Sequence, residues 1–192
     1  MHKLLVFDLD GTLAKLNAGM KPEHISMLQQ LEKDGYRIAV CSGRPLYYLS
    51  GFMRQLSLRT PILIGETGLT VQIGLALPPS ESWIIPFPPR AAEELRFFRE
   101  LFVKRFGDRI WFQPNEVVVS PFPKDPALFD AMQQLLEENR DHRTALSVYR
   151  QVDCFDLIPK TVDKAAAPQV FHGLCFVKHI FGFAQRHLFG KQ

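Results

Sequence analysis

The sequence is short of several things that would define other classes of protein. Among 192 residues there are three cysteines, Cys41, Cys154 and Cys175, and an odd number without paired spacing argues against both a disulfide framework and a zinc site. No uninterrupted apolar stretch approaches the ~20 residues of a membrane span, so none is expected. The first apolar run, Leu4 to Phe7, stops at Asp8 and is too short for an export signal. Net charge is also small: 23 Lys and Arg against 20 Asp and Glu leave +3, too little to argue for a nucleic-acid partner. Repeats and low-complexity tracts are missing. These absences predict a cytoplasmic globular protein and leave small anionic ligands open. One more absence is local. Residues 165–192 contain no Asp or Glu, although they hold five of the 16 Phe and three of the six His.

What is present begins with short apolar runs that end in polar clusters. Leu4 to Phe7 reads as a buried strand leading into Asp8-Leu9-Asp10-Gly11-Thr12. Pro22 opens a helix with Ile25, Leu28 and Leu31 on one face and Gly35 just beyond it. Arg37 to Cys41 is a second strand that exits through Ser42-Gly43-Arg44-Pro45 into a helix reaching about Ser57, and Pro61 to Ile64 is a third strand. This alternation predicts a parallel α/β sheet with its site at the carboxyl ends of the strands.

The rhythm changes after Gly74. Pro78, Pro79, Pro86, Pro88 and Pro89 form a seam that places a subdomain boundary near residue 77. Beyond it, Trp83 to Ile85 reads as extended and Arg90 to about Phe106 as a helix with Leu95, Phe98 and Phe102 inward. Arg109 to Phe112 is expected to pair with Glu116 to Val119 across a turn at Pro114-Asn115. A helix over Ala127 to Asn139 and extended segments over Thr144 to Tyr149 and Cys154 to Ile158 complete a compact α+β subdomain. The predicted organisation is a core made of 1–76 and 158–192, interrupted by 77–157.

The strongest chemical signal is Asp8-Leu9-Asp10-Gly11-Thr12. A chance match to D-x-D-G-T in a chain of this length has a probability of about 10⁻³, and an ordinary Asp-Gly turn does not explain its position after the first strand. Carboxylates two residues apart lie on the same side of an extended chain, so at a strand tip both can reach one substrate, one attacking it while the other handles a proton. That division suits phosphoryl transfer through an aspartyl phosphate.

Asp8 to Thr12 resembles the first motif of the haloacid dehalogenase superfamily of phosphatases, and Val40 to Arg44 resembles the second. The resemblance implies Asp8 as nucleophile, Asp10 as general acid and base, and Ser42 with the Gly43 N–H as phosphate ligands. Lys164 sits where the Cof-like branch has its charge-neutralising lysine. Thr12, Arg44 and Glu66 are implied to lie near the substrate. Gly65-Glu66-Thr67-Gly68 is similar to the turn before the cap in that branch, with Thr67 where the archaeal-type phosphoglycolate phosphatases have Asn. An insertion of this size suits a C2-type cap. The resemblance further implies a Mg²⁺ cofactor held by the Asp8 carboxylate and the Asp10 carbonyl, and a small phosphorylated metabolite as substrate.

The likeness stops at Lys164. The fourth motif, a G-D-x-x-N-D loop that completes the Mg²⁺ site, has no counterpart, and Asp153, Asp156 and Asp163 do not match it. Three readings of the tail stay open. It is a truncated or frame-shifted end of a longer phosphatase; or it belongs to a variant with a partner-supplied ligand or to a non-catalytic phosphate binder; or it is a lipid- or partner-binding segment, given the stripe Val170, Leu174, Val177, Phe181, Ala184 and Leu188 at helical spacing. A phosphomutase of the same superfamily is the remaining alternative for the chemistry.

Overall fold

The computed structural model describes residues 3–76, 78–162 and 175–176. They fall into two compact units, one containing the described residues up to Ile85 together with Cys175–Phe176, the other Pro86–Val162. The first unit is built on a six-stranded sheet ordered β10-β1-β2-β3-β4-β5, with β1 Lys3–Asp8, β2 Tyr36–Cys41, β3 Ile62–Gly65, β4 Thr70–Ile73, β5 Glu81–Ile84 and β10 Cys175–Phe176. β1, β2, β3 and β10 run parallel, whereas β4 and β5 are antiparallel additions. The sheet is therefore mixed rather than wholly parallel. Glu81–Ile84 pairs with β4, so the chain divides in the proline seam at Ile85/Pro86 and not near residue 77.

The period-2 alternation of the strands sorts the core onto two faces. Leu5, Phe7, Ile38, Val40 and Leu63 lie on one. There they pack with Leu28 of α1 (Pro22–Lys33) and with Leu49 and Met53 of α2 (Leu46–Met53). The intervening residues Leu4, Ala39, Cys41, Ile62 and Ile64 join Val71 on the other face. Proline at the first position of α1 fits where an amide would have no intrahelical partner.

In the second unit, α3 (Pro89–Phe106) presents Ala91, Leu95, Phe98, Phe102 and Phe106 along one stripe. These pack with Met132 and Leu136 of α4 (Phe129–Glu138), and with Leu146 and Leu157 from β8 (Leu146–Arg150) and β9 (Phe155–Pro159). The hairpin expected between 109–112 and 116–119 is shifted. β6 (Ile110–Phe112) pairs instead with β7 (Pro121–Pro123), while Val119 exchanges both backbone hydrogen bonds with Leu157. The Gln113 amide donates to the Ser120 carbonyl, so the loop spans 113–120 rather than turning at Pro114-Asn115.

Lys164, the three tail histidines and all six residues of the apolar tail stripe lie outside the described residues. Cys175 and Phe176 are extended and pair with Lys3 and Leu4.

Candidate active site

Strand register brings the sequence motifs together. Asp8 pairs with Cys41, and Cys41 with Ile64, so the residues leaving β1, β2 and β3 emerge abreast at one edge of the sheet. The Asp8 carboxylate accepts from the Leu9 amide at 3.0 Å. The Leu9 carbonyl then accepts from the amides of Thr12, Leu13 and Ala14 at 3.3, 3.0 and 3.1 Å, which winds one tight turn directly after the strand. Leu9 and Leu13 bury into the core beneath it and anchor the turn. Gly11 supplies the positive φ of 80° that the turn needs. Thr12 Oγ1 is buried with no hydrogen-bond partner among the described residues.

Asp10 reaches across to the loop after β2, where its Oδ2 accepts from Arg44 Nε at 3.1 Å. Both side chains are about three-quarters buried. The Arg44 guanidinium also lies over the Tyr48 ring, 5.3 Å from its centroid, which fixes its plane. Ser42 is 2% exposed. Its amide extends the ladder to the Ile64 carbonyl at 2.9 Å, and its Oγ accepts from the Arg44 amide at 3.2 Å. The loop is therefore closed on itself, as serine does at turns.

The turn after β3 holds that loop from the other side. The Glu66 amide donates to the Arg44 carbonyl at 3.1 Å and the Thr67 amide to the Ser42 carbonyl at 3.0 Å. To do this Glu66, Thr67 and Gly68 take φ of 50°, 61° and 110°, a left-handed run that costs a β-branched residue such as Thr67 the most. A Cβ on Gly65 would stand 2.7 Å from Thr70 Oγ1, 3.0 Å from the Arg44 carbonyl and 3.2 Å from the Leu46 amide, so only glycine allows this approach. Glu66 is buried.

The residues read from the sequence thus converge as follows. Asp8, Asp10, Ser42, Gly43 and Arg44 share the strand tips, Glu66 clamps the loop through its main chain, Thr12 sits in the turn, and Lys164 is outside the described residues. Tyr48 and Thr70 were not read as part of the site. The spacing of Tyr48 four residues after Arg44 was the available signal for one, and nothing local marked the other. Asp156 belongs to the second unit, where its Oδ1 accepts from Ser120 at 2.6 Å and its Oδ2 from Gln151 at 3.0 Å.

Mg²⁺ asks for near-octahedral oxygen coordination. Among the described residues no group of three or more His, Cys, Asp or Glu could hold a metal ion, and no carboxylate follows Asp163 in the sequence. Among the described residues the strand tips offer Asp8 and Asp10, which would hold Mg²⁺ only together with water and substrate oxygens.

Residues 5–73 match the model of the haloacid dehalogenase-like hydrolases. A 5-amino-6-(5-phospho-D-ribitylamino)uracil phosphatase of Bacillus subtilis is 35% identical over 60 residues, 31% of this chain and 22% of that protein. The match thus spans only about a fifth of the curated relative's length. Among solved structures, a haloacid dehalogenase-like hydrolase from Bacteroides thetaiotaomicron superposes with a TM-score of 0.65 at 16% identity, covering 88% of this chain and 76% of that one. A Thermotoga maritima protein gives 0.65 at 18%, covering 88% and 74%. The C-terminal domain of a C. albicans trehalose-6-phosphate phosphatase gives 0.63 at 20%, covering 85% and 59%. At these identities the likeness concerns the fold.

Proposed function

We propose that the strand tips form the site of a phosphomonoester hydrolase acting on a small phosphorylated metabolite, with the second unit as its substrate-selecting cap. The observation that carries this reading is the convergence of Asp8, the Ser42 loop and the Arg44–Asp10 pair at one sheet edge. In the reaction, an Asp8 carboxylate oxygen attacks phosphorus and the ester P–O bond breaks. The leaving alkoxide takes a proton from Asp10. Water then attacks the aspartyl phosphate and gives its proton to Asp10; the bond to Asp8 breaks and phosphate leaves. Ser42, the Gly43 amide and Lys164 hold the phosphoryl oxygens. A sugar phosphate or a short phospho-acid such as phosphoglycolate is the substrate class, in the cytoplasm. The name of the curated relative, a phosphatase, supports the general activity.

No step is routed through Mg²⁺. The absence of a three-ligand cluster among the described residues favours a second reading, a chain that binds phosphate esters without turning them over. Phosphate release from an aryl phosphate and a panel of sugar and short-acid phosphates, with and without Mg²⁺ and with Asp8→Asn as the blank, separates the two. Release lost in Asp8→Asn supports the hydrolase. Silence from folded protein that still binds phosphate supports the binder, and equal release from both proteins overturns the assignment of Asp8.

A further inference from the structure

The second unit carries a cleft of about 580 Å³ whose walls include Arg140, Arg143, Ser147, Tyr149 and Lys160. Its construction follows from the end of α4 and the edge of β8. A short turn over Arg140–His142 leads into Arg143, and β8 then starts by burying Leu146 in the core. Alternation turns Ser147 and Tyr149 to the opposite face. Lys160 is drawn alongside because its backbone amide donates to the Ala145 carbonyl at 2.9 Å.

The charge in this cleft is lopsided. Three cations face one lining anion, Asp141, whose nearest oxygen is 3.9 Å from Arg140 Nε with both side chains largely exposed, a geometry worth little in water. Arg143 Nη2 is held by Glu137 at 2.9 Å, and this orients the guanidinium. Its Nε is nevertheless buried with no hydrogen-bond partner among the described residues. A buried donor left unmade is unfavourable, so an oriented arginine with an unmet N–H is suited to an acceptor. Lys160 forms no ion pair among the described residues. Hydroxyls of Ser147 and Tyr149 add neutral donors along this open, shallow depression.

We propose that this cleft binds an organic oxyanion, a small molecule whose phosphate or carboxylate groups are taken by Arg143, Arg140 and Lys160. The site stands on residues of the second unit alone and does not depend on the hydrolase reading.

The test is a ¹⁵N NMR titration of the full chain carrying Asp8→Asn, which prevents turnover, with pyrophosphate in one arm and citrate in the other. Saturable shifts of the 144–149 amides and of the Arg143 Nε–H are expected in at least one arm, and the arm that saturates identifies phosphate or carboxylate. Lys160→Ala, at an exposed position, should weaken binding about tenfold by removing a charge-assisted contact, and Arg143→Lys should weaken it while keeping the charge. The proposal is overturned if these signals do not saturate in either arm, if shifts are confined to the Ser42–Arg44 amides, or if both variants bind as tightly as their parent.

Discussion

The two units hold polar groups in place in opposite ways. In the first, the loop that carries Ser42 and Arg44 is gripped by main-chain atoms, through the amides of Ile64's neighbour Ser42 itself, Glu66 and Thr67. In the second, a side chain does the holding. Glu94, 8% exposed on α3, accepts from Arg90 Nε, from the Thr144 hydroxyl and from the Ala145 amide, each within 3.0 Å. Burial alone would raise its carboxyl, but the Ala145 amide, the Thr144 hydroxyl and Arg90 together outweigh it and hold the group below its ordinary value. A main-chain grip makes no demand on the chemistry of the gripping side chains, whereas a carboxylate used as a staple is committed to the fold.

That contrast can be broken at several points. Asp8→Asn should lower phosphate release by at least about 10³-fold while leaving the melting temperature close to that of the parent, since the loss is of a nucleophile. Phe98→Ala, at a fully buried position of the second core, should cost about 3–5 kcal/mol in chemical denaturation. Gly65→Ala forces a Cβ against backbone atoms of the Ser42 loop and should cost about 1–3 kcal/mol, with phosphate affinity falling alongside stability.

Glu94→Ala should cost about 1–3 kcal/mol by stranding the Ala145 and Thr144 donors, and it carries a pH signature. A carboxyl whose pKa is lowered on folding contributes stability above its ordinary value near 4.5, and that contribution is lost as pH falls through the folded value. Urea midpoints measured between pH 7 and 3 should therefore drop less steeply in Glu94→Gln than in the parent. An identical slope would show that Glu94 is not a charged staple. The smallest effect is a gain. Thr67→Asn puts a residue that tolerates the left-handed region where a β-branched one now sits, and should stabilise by on the order of 1 kcal/mol, seen as a higher melting temperature.

Much of the first unit was legible because its strands are continuous apolar runs and its motifs follow them directly. β1, β2 and β3 and both helices of that unit lie where periodicity places them. β4 escaped notice because Thr70–Ile73 is four residues long and follows a turn with no apolar alternation before it. β7 escaped because Pro121 and Pro123 flank its one aromatic residue, and proline discourages a strand assignment unless the strand lies at an edge, as this one does. The Asp10–Arg44 pair is 34 residues apart and the Glu94–Thr144 contact 50 apart. Their partners become neighbours only after strands and helices have packed, so no local pattern announces them.

The main-chain clasp at Glu66 and Thr67 also bears on how such a site can drift over evolutionary time. Hydrogen bonds from an amide are indifferent to the side chain it carries, so a mutation at Thr67 keeps the Ser42 loop closed as long as the new residue accepts a left-handed backbone. Lineages can exchange Asn, Asp, Gly or Thr at position 67 and pay only in stability, while Gly65, pressed against three backbone and hydroxyl atoms, has no such latitude.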